Sequence, residues 1–378
     1  MATGIISNGF FLLDIKGISN ALLVVDSAAF LVLIPMTVAR GIMFPSQLWA
    51  DLVNPRLVFS FFTIVAGANV FGVQLLLRGE VTLAVLLWCF SLAVWGPLSY
   101  FSFSVLTFRD TERNVGVVGG GWLIAIVGAE SIATLGAKLS AEVSSHADLI
   151  FVTAHSFWGI GIILYLIFVT LFAYRIFFFK VTVEEMNPLF WVVMGAAAIT
   201  VNAGSAMMIA EGQIGYLSTM KPFVEGLSLV FWAWASWLIP LLVIFGVWRH
   251  VVMKAPLEYS PMYWSLVFPL GMYTVATWQL AAADEFPFMR QLPEATIWVA
   301  FLAWLIVMTG LIRRLLRSGP VGLAGAGGRG EEEGDRENGE HHEHGVAKAE
   351  MLSEEAEERR ADQERDVTGS GDKSNSRD

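Results

Sequence analysis

Ionisable side chains that could do chemistry inside the apolar stretches of this chain are few and far apart. Glu130 has apolar runs on both sides, Asp26 lies in another such run, and His155 is the one histidine within a run. An acidic side chain at the centre of a membrane helix costs about 2.5–3.5 kcal/mol, so it usually faces a cavity or a partner. Glu130 could therefore line a pathway, bind a proton, or form a structural hydrogen bond between helices. Asp26 and His155 are better explained by helix packing.

Covalent chemistry has little support in these residues. Haem ligation needs a second buried histidine, and the sequence has no His-Glu-x-x-His motif and no nucleophile beside a base. Cys89 is the one cysteine, and the His341–His344 tract belongs to a charged, solvated tail. We expect no catalytic residue, no metal and no cofactor. A membrane enzyme is disfavoured, and a sensor or scaffold that signals through the acidic tail is the alternative of another class.

One apolar stretch, Tyr263–Thr277, combines a large aromatic ring with two helix-disrupting residues. Phe268 is followed by Pro269 and then by Gly271. Proline removes an intrahelical hydrogen bond and glycine permits close backbone approach, so such a span must be buried among helices or line a cavity. Phe268 is then either a packing residue or an obstruction in a pathway.

The composition is that of an integral membrane protein. Of the 378 residues 55% are hydrophobic and 15% are charged. Nine stretches reach the roughly 20 apolar residues that a bilayer requires. They are approximately 17–40, 55–77, 81–106, 115–139, 149–174, 187–210, 224–248, 260–283 and 295–317. The first dozen residues form a tenth, shorter candidate.

Charge divides the chain into two parts. Residues 319–378 contain 17 acidic and 8 basic residues; subtracting these from totals of 34 and 24 leaves 17 and 16 in residues 1–318. Low hydrophobicity with high charge predicts a disordered tail over 319–378. The domain boundary therefore falls after residue 318, with a transmembrane domain before it.

Basic residues predict the orientation in the membrane, because short cytoplasmic loops are enriched in Lys and Arg. If the N-terminal segment is the first span, eleven basic residues fall on one side and five on the other. The five are Lys16, Arg78, Lys138, Lys221 and Arg290. We therefore expect ten spans with both ends in the cytoplasm. The five external residues either concentrate anions at a vestibule or simply reach from helix ends to the interface.

An internal repeat groups the spans in pairs. Small residues or proline follow apolar residues in every odd-numbered span, at Ala2, Gly67, Gly128, Gly195 and Pro269, which are 61 to 74 residues apart. The even-numbered spans are richer in Leu, Phe and Trp, which suits contact with lipid. We expect an all-α integral membrane fold of five tandem helical hairpins in a quasi-fivefold array, with five inner helices around a central pore.

These segments resemble a known family. Met1–Ser7, Phe61–Gly72, Trp122–Ala137, Asn187–Gly204 and above all Tyr263–Thr277 are similar to the tellurite-resistance/C4-dicarboxylate transporters, a group that includes plant slow anion channels and fungal sulfite efflux pumps. The resemblance covers about residues 1–317. It implies a multi-pass protein of the plasma membrane, often a homotrimer, with an hourglass anion pathway.

The resemblance also assigns roles to residues. Phe268 matches the phenylalanine that closes the pore in channel members. In family members the Met-Ala-Thr-Gly motif lies inside a complete first span, so the first helix is expected to be truncated here. Pore-lining or hinge positions are expected at Gly4, Gly67, Asn69, Gly128, Glu130, Gly195, Asn202, Pro269 and Gly271.

The partners that follow are the lipid bilayer and a small anion, with no nucleic acid. Tellurite, a C4-dicarboxylate, sulfite and inorganic anions all remain open. A passive channel or exporter is favoured, and a proton-coupled dicarboxylate carrier that uses Glu130 is the runner-up. Asn69 and Asn202 could replace part of the hydration shell of an anion, or join neighbouring helices by a hydrogen bond.

Overall fold

The computed structural model describes residues 1–108, 117–183, 185–214, 219–283 and 286–322, apart from the side chains of residues 211–214, 287 and 318–322. Within them the chain forms eleven α-helices and no strand. They are α1 (Ala2–Leu12), α2 (Lys16–Met43), α3 (Pro45–Leu52), α4 (Phe62–Leu76), α5 (Val81–Phe108), α6 (Ile124–Glu142), α7 (Ala147–Phe178), α8 (Trp191–Ile214), α9 (Lys221–Val247), α10 (Trp264–Ala283) and α11 (Gln291–Gly322). The acidic segment 323–378 lies outside the described residues.

Nine of the helices in the described ranges are long and apolar enough to cross a bilayer, and they coincide with the nine predicted stretches. The prediction of an all-α integral membrane protein is therefore confirmed. Two helices are shorter than a membrane span. The short helix α3 connects α2 to α4, and α1 has 11 residues, which corresponds to about 16 Å of a hydrocarbon core about 30 Å thick.

Burial separates inner from outer helices. In the most apolar part of the spans 120–142 and 188–210, 94% of residues are buried, whereas the corresponding value is 17% for 81–108 and 11% for 16–43. The buried helices are those with many small residues, and the exposed ones carry Leu, Phe and Trp toward the bilayer. Side-chain size thus decides which helix can lie in the crowded interior.

The inner helices contact one another in a closed circuit. α1 packs against α4, α4 against α6, α6 against α8, α8 against α10, and α10 against α1. Because each outer helix carries the chain back across the bilayer, the five inner helices run in the same direction. Exact quasi-fivefold symmetry and an open central pore stay predictions.

Indole hydrogen bonds tie each of four outer helices to the next inner helix in the circuit. The donors lie 70 to 74 residues apart along the chain, which matches the hairpin repeat. The pairs are Trp88 to the Ile132 carbonyl at 3.0 Å, Trp158 to the Thr200 carbonyl at 3.0 Å, Trp232 to the Thr277 hydroxyl at 3.0 Å and Trp304 to the Thr3 hydroxyl at 3.0 Å. A buried indole N–H needs such a partner, so these bonds hold successive hairpins together.

Candidate functional site

A narrow, partly open cavity of about 20 Å³, enough for about one water molecule, lies among the five inner helices. Every inner helix contributes to its wall. The lining residues are Ile5, Asn8, Leu12, Asn69, Val70, Val73, Leu77, Ser131, Thr134, Lys138, Ile199, Asn202, Met272, Val275 and Gln279. Two residues predicted to line a pathway, Asn69 and Asn202, are among them.

The lining residues follow the internal repeat. In four helices they fall 3, 6 and 10 positions after the reference residues Ala2, Gly67, Gly128 and Pro269, and Asn69, 2 positions after Gly67, is an additional lining residue of α4. In α8 the lining residues Ile199 and Asn202 fit the same offsets from Ala196, so the repeat in this helix is set one residue later than Gly195. Offsets of 3, 6 and 10 follow one face of an α-helix. The same face of every inner helix therefore points to the axis.

Phe268 lies on this axial face of α10. The side chains of 268, 272, 275 and 279 fall within about 60° of one another around a helix that turns about 100° per residue, and the last three line the cavity. Phe268 is 2% exposed. In the other inner helices the residues at the equivalent offset are Met1, Ala66, Val127 and Gly195. Among these five equivalent positions of the described inner helices, Phe268 alone carries an aromatic ring, one turn beyond the cavity.

Pro269 and Gly271 lie to either side of the axial face of α10. A Cβ atom at Gly195 of α8 would be 2.8 Å from the Pro269 ring, and one at Gly271 would be 2.8 Å from the Ile5 side chain of α1. Both distances are shorter than a normal carbon–carbon contact. These two glycines therefore permit the close helix contacts that hold Phe268 between α8 and α1.

The other predicted glycines also lie outside the cavity wall. A Cβ atom at Gly4 would be 2.6 Å from the Asp26 carboxyl, and one at Gly128 would be 3.0 Å from the Phe62 ring, so both are positions of close packing. Gly67 is half-buried, on the face of α4 that also exposes Ile64, and a Cβ atom there would meet no atom within 4 Å.

Glu130 points away from the cavity, toward α7 and α8. It is fully buried, and one carboxyl oxygen accepts a 3.0 Å hydrogen bond from the Thr200 hydroxyl. Its second oxygen has no partner among the described residues. The neighbouring positions Ser131 and Thr134 are the ones that face the axis. The structure thus brings Glu130 into the interface between helices, and not to the cavity wall.

The polar wall of the cavity has two kinds of group. Asn69 donates 3.0 Å hydrogen bonds to the Val65 carbonyl and to the Ser131 hydroxyl, so its N–H groups are engaged within the protein. Asn202 and Gln279 are 3% and 2% exposed, neither amide has a side-chain hydrogen bond among the described residues, and the buried Asn202 Oδ1 atom has no partner there. They retain free N–H donors. Gln279 was not predicted, although its spacing from Phe268 is the signal that identifies it.

Lys138 is the charged residue in the cavity wall. From the sequence we expected it at an external helix end, where it either concentrates anions at a vestibule or reaches to the interface. The structure brings it to the axial face of α6, one helical turn before the helix ends at Glu142. No described carboxylate lies within 4 Å of its ammonium group.

Anchoring of α10 differs on the two sides of Pro269. On the C-terminal side, Tyr273 lies 2.8 Å from the Ser236 hydroxyl of α9, Thr274 lies 2.9 Å from the Thr296 hydroxyl of α11, and Thr277 accepts the Trp232 indole. On the N-terminal side, within the described residues, the side-chain bond is a local one of 3.3 Å from Trp264 to Tyr259. The segment that carries Phe268 is therefore the less anchored half.

A family model described as voltage-dependent anion channel matches residues 1–312. The chain belongs to this family. The voltage-dependent anion channel family consists of membrane proteins that transport anions, so the chain is a multi-pass anion channel or transporter. The match confirms the resemblance inferred from Tyr263–Thr277 and covers every inner helix. Membership of this family also implies a lipid bilayer and a small anion as the partners of the protein.

The relatives of this chain include proteins named as membrane proteins and as transporters. An uncharacterized membrane protein of Mycobacterium tuberculosis (strain H37Rv) is 38% identical over 142 residues, which is 37% of this chain and 71% of the relative. Two uncharacterized transporters of Methanocaldococcus jannaschii are each 24% identical, over 307 residues (80% of this chain, 86% of the relative) and 318 residues (82% and 89%). The similarity to transporters thus extends over most of the helical body.

Proposed function

We propose that this protein conducts small anions passively along the axis of the five inner helices. The support is a cavity wall in which apolar side chains are mixed with neutral amides, hydroxyls and a single ammonium group. Such a wall can replace water around an anion without binding it too tightly to leave. Transport of this kind needs no covalent chemistry. An inside-negative membrane potential favours anion exit by about 2.3 kcal/mol per charge per 100 mV.

Phe268 is the gate in this proposal, and its place on the axial face one turn beyond Met272 is the observation that carries it. The residues at the same level of the other inner helices are small or aliphatic. A ring at this level therefore obstructs the axis, and removal of the ring should open it. A substrate passes when the N-terminal half of α10 moves or when the ring changes rotamer.

The test is anion flux into proteoliposomes that contain wild-type protein, Phe268→Ala or Phe10→Ala. Phe10 is a matched control, because its buried ring packs edge-on against Trp298 and Phe301 of α11 with centroids 5.3 Å away, off the axis. A buried ring contributes about 1.5–3 kcal/mol to the closed arrangement, so Phe268→Ala should raise flux roughly ten- to hundredfold. Equal flux from the Phe268→Ala and wild-type proteins, at equal amounts of folded protein, would remove the gate assignment.

The runner-up function is a proton-coupled dicarboxylate carrier that uses Glu130. One observation favours it: a fully buried carboxyl whose second oxygen lacks a partner among the described residues. The Glu130 carboxyl points away from the cavity, and this favours the passive channel. Succinate uptake driven by an imposed proton gradient, and lost in Glu130→Gln, would establish the carrier instead.

The cellular setting is part of the same proposal. We place the protein in the plasma membrane with both ends in the cytoplasm, because of the distribution of basic residues, and we propose a homotrimer from the family resemblance. Protease protection in inverted vesicles tests the orientation, and light scattering in detergent tests the trimer. If removal of 319–378 abolished a cellular response while flux stayed normal, signalling through the tail would be the better explanation.

A further inference from the structure

The connection between α9 and α10 is fastened to the helical body by the side chain of Tyr259. Residues 251–258 are exposed, apart from the half-buried Ala255. No backbone hydrogen bond among the described residues involves Leu257, Glu258 or Tyr259. The Tyr259 ring, in contrast, is half-buried and packs against the hydrophobic core. This side chain therefore sets the position of the stretch that leads into α10.

The ring of Tyr259 is seated on Gly310 of α11. A Cβ atom at residue 310 would be 2.7 Å from Cδ2 of Tyr259 and 3.2 Å from its Cβ atom. Both distances are shorter than a normal carbon–carbon contact, so the ring lies directly on the helix backbone. The support is itself held in place, because Trp304, six residues before Gly310, donates to the Thr3 hydroxyl of α1 at 3.0 Å. Tyr259 thus rests on a helix that is tied to the inner circuit.

Tyr259 is also bonded to the first residue of α10. Its hydroxyl accepts a hydrogen bond of 3.3 Å from the Trp264 indole. Between these two residues the chain makes a tight turn, in which the Ser260 carbonyl accepts the Tyr263 N–H at 3.1 Å. Phe268 follows Trp264 by four residues, about one turn of the helix. A displacement of Tyr259 is therefore passed on to the segment that carries Phe268.

We propose that Tyr259, seated on Gly310 and bonded to Trp264, is a latch that holds the N-terminal half of α10 in the closed position. The proposal rests on the gate proposed above and concerns its regulation. The latch is releasable, because a single long hydrogen bond is weak and the half-buried ring borders the exposed connection. While the ring is seated, Phe268 stays on the axis. When the ring leaves Gly310, the segment is free to move.

Mobility of the turn before α10 tests the latch without any need for flux. Cys89, the one cysteine of the chain, is replaced by serine, and a nitroxide label is attached to a cysteine at Met262, which is 45% exposed. Tyr259→Phe removes the bond and Gly310→Ala displaces the ring, so both should raise the mobility of the label in electron paramagnetic resonance spectra. Gly246→Ala, at the same end of α9, is the matched control, because a Cβ atom there meets no atom within 4 Å. Equal mobility in the parent and all three variants would overturn the latch.

A disulfide in place of the latch tests its effect on the gate. A Cβ atom at residue 310 would be 3.2 Å from the Tyr259 Cβ atom, close to the roughly 3.5–4.5 Å of a disulfide. Tyr259→Cys/Gly310→Cys in the Cys89→Ser parent should therefore cross-link on oxidation. The reduced protein lacks the latch, and its chloride flux in proteoliposomes should exceed that of the parent about two- to tenfold, the change that loss of one hydrogen bond produces in an equilibrium. Oxidation should return the flux to the parent value or below it. Equal flux in both redox states, with the disulfide present after oxidation, would overturn the control of the gate by the latch.

The latch and the gate can fail separately. If Phe268→Ala raises chloride flux and also abolishes the effect of the disulfide, both stand. If Phe268→Ala raises flux but the disulfide never changes it, or changes it equally without the Phe268 ring, the latch fails and the gate stands. If Phe268→Ala leaves flux unchanged although label mobility depends on Tyr259, the latch stands as an anchor of α10 and the gate fails.

Discussion

Gly195 of α8 lies directly against the Pro269 ring of α10, so closely that a Cβ atom at residue 195 would be 2.8 Å from the proline Cγ atom. Pro269 directly follows Phe268 in α10, so this contact lies next to the proposed gate. Because protein interiors are close-packed, a contact of this kind transmits any movement of one helix to the other. The position of the proposed gate thus depends on a glycine in the neighbouring helix.

Gly195→Ala should destabilise the protein by about 1–3 kcal/mol, the usual cost of overpacking a close contact. Gly67→Ala is the matched change, because a Cβ atom at Gly67 meets no atom within 4 Å. It should instead stabilise α4 by up to about 1 kcal/mol through helix propensity. Unfolding in mixed micelles measures both free energies. Equal effects of the two substitutions would show that the Gly195–Pro269 contact has no energetic weight.

Pro269→Ala should reduce anion flux in the otherwise wild-type protein. Alanine restores an N–H that can donate to the Ser265 carbonyl, which makes α10 continuous past Phe268. The N-terminal half would then be held by the anchored C-terminal half, and we expect flux to fall several-fold while thermal stability stays level or rises. Flux that increases, as in Phe268→Ala, would show that Pro269 holds the gate closed and does not permit its movement.

Thr200→Val should cost about 1–3 kcal/mol, because it leaves the buried Glu130 carboxyl without its hydrogen-bond donor. Glu130→Gln keeps an oxygen that can accept this bond, and since the side chain lies outside the cavity wall, anion flux should remain near the wild-type value. The double variant gives the coupling energy between the two residues, for which we expect about 1 kcal/mol. A coupling energy near zero would contradict the 3.0 Å bond between them.

Trp88→Phe and Trp158→Phe should each cost about 0.6 kcal/mol, and up to about 1.7, the range measured for hydrogen bonds between membrane helices. Each change removes an indole donor and keeps an aromatic ring. Trp237→Phe is the control, because Trp237 is 58% exposed and its ring stacks on Trp234. A cost at Trp237 equal to that at Trp88 would mean that ring size, and not the hydrogen bond, sets the stability.

The sequence was sufficient to predict the spans and their division into inner and outer helices, and two of the residues predicted to line a pathway, Asn69 and Asn202, are in the cavity wall. Span length, residue size and the hairpin repeat carry this information, because they are properties of a helix as a whole. Rotation about the helix axis was harder to predict. One residue separates Glu130 from Ser131, yet the about 100° turn between them takes one to α7 and α8 and the other to the axis.

Lys138 is a second residue whose direction around its helix axis was hard to predict. Its place near the end of a span predicted an external charge, and only the offset of 10 from Gly128, seen together with Gln279 at the same offset from Pro269, brings it into the cavity wall. The glycines illustrate a second limit. Small size alone fits both a pore wall and a helix contact, and the neighbours of Gly195 and Gly271 decide for the contact.

The bond from Trp304 to Thr3 joins residues 301 positions apart, and this has a consequence for how the protein is made. The ribosome releases α1 first and α11 last, so Thr3 has to wait for its indole donor until nearly the whole body has been synthesised. The first three outer-to-inner bonds join hairpins that follow one another in the chain, whereas the fourth joins α11 to α1. A nascent chain that stops before α11 therefore lacks the bond that closes the circuit of hairpins.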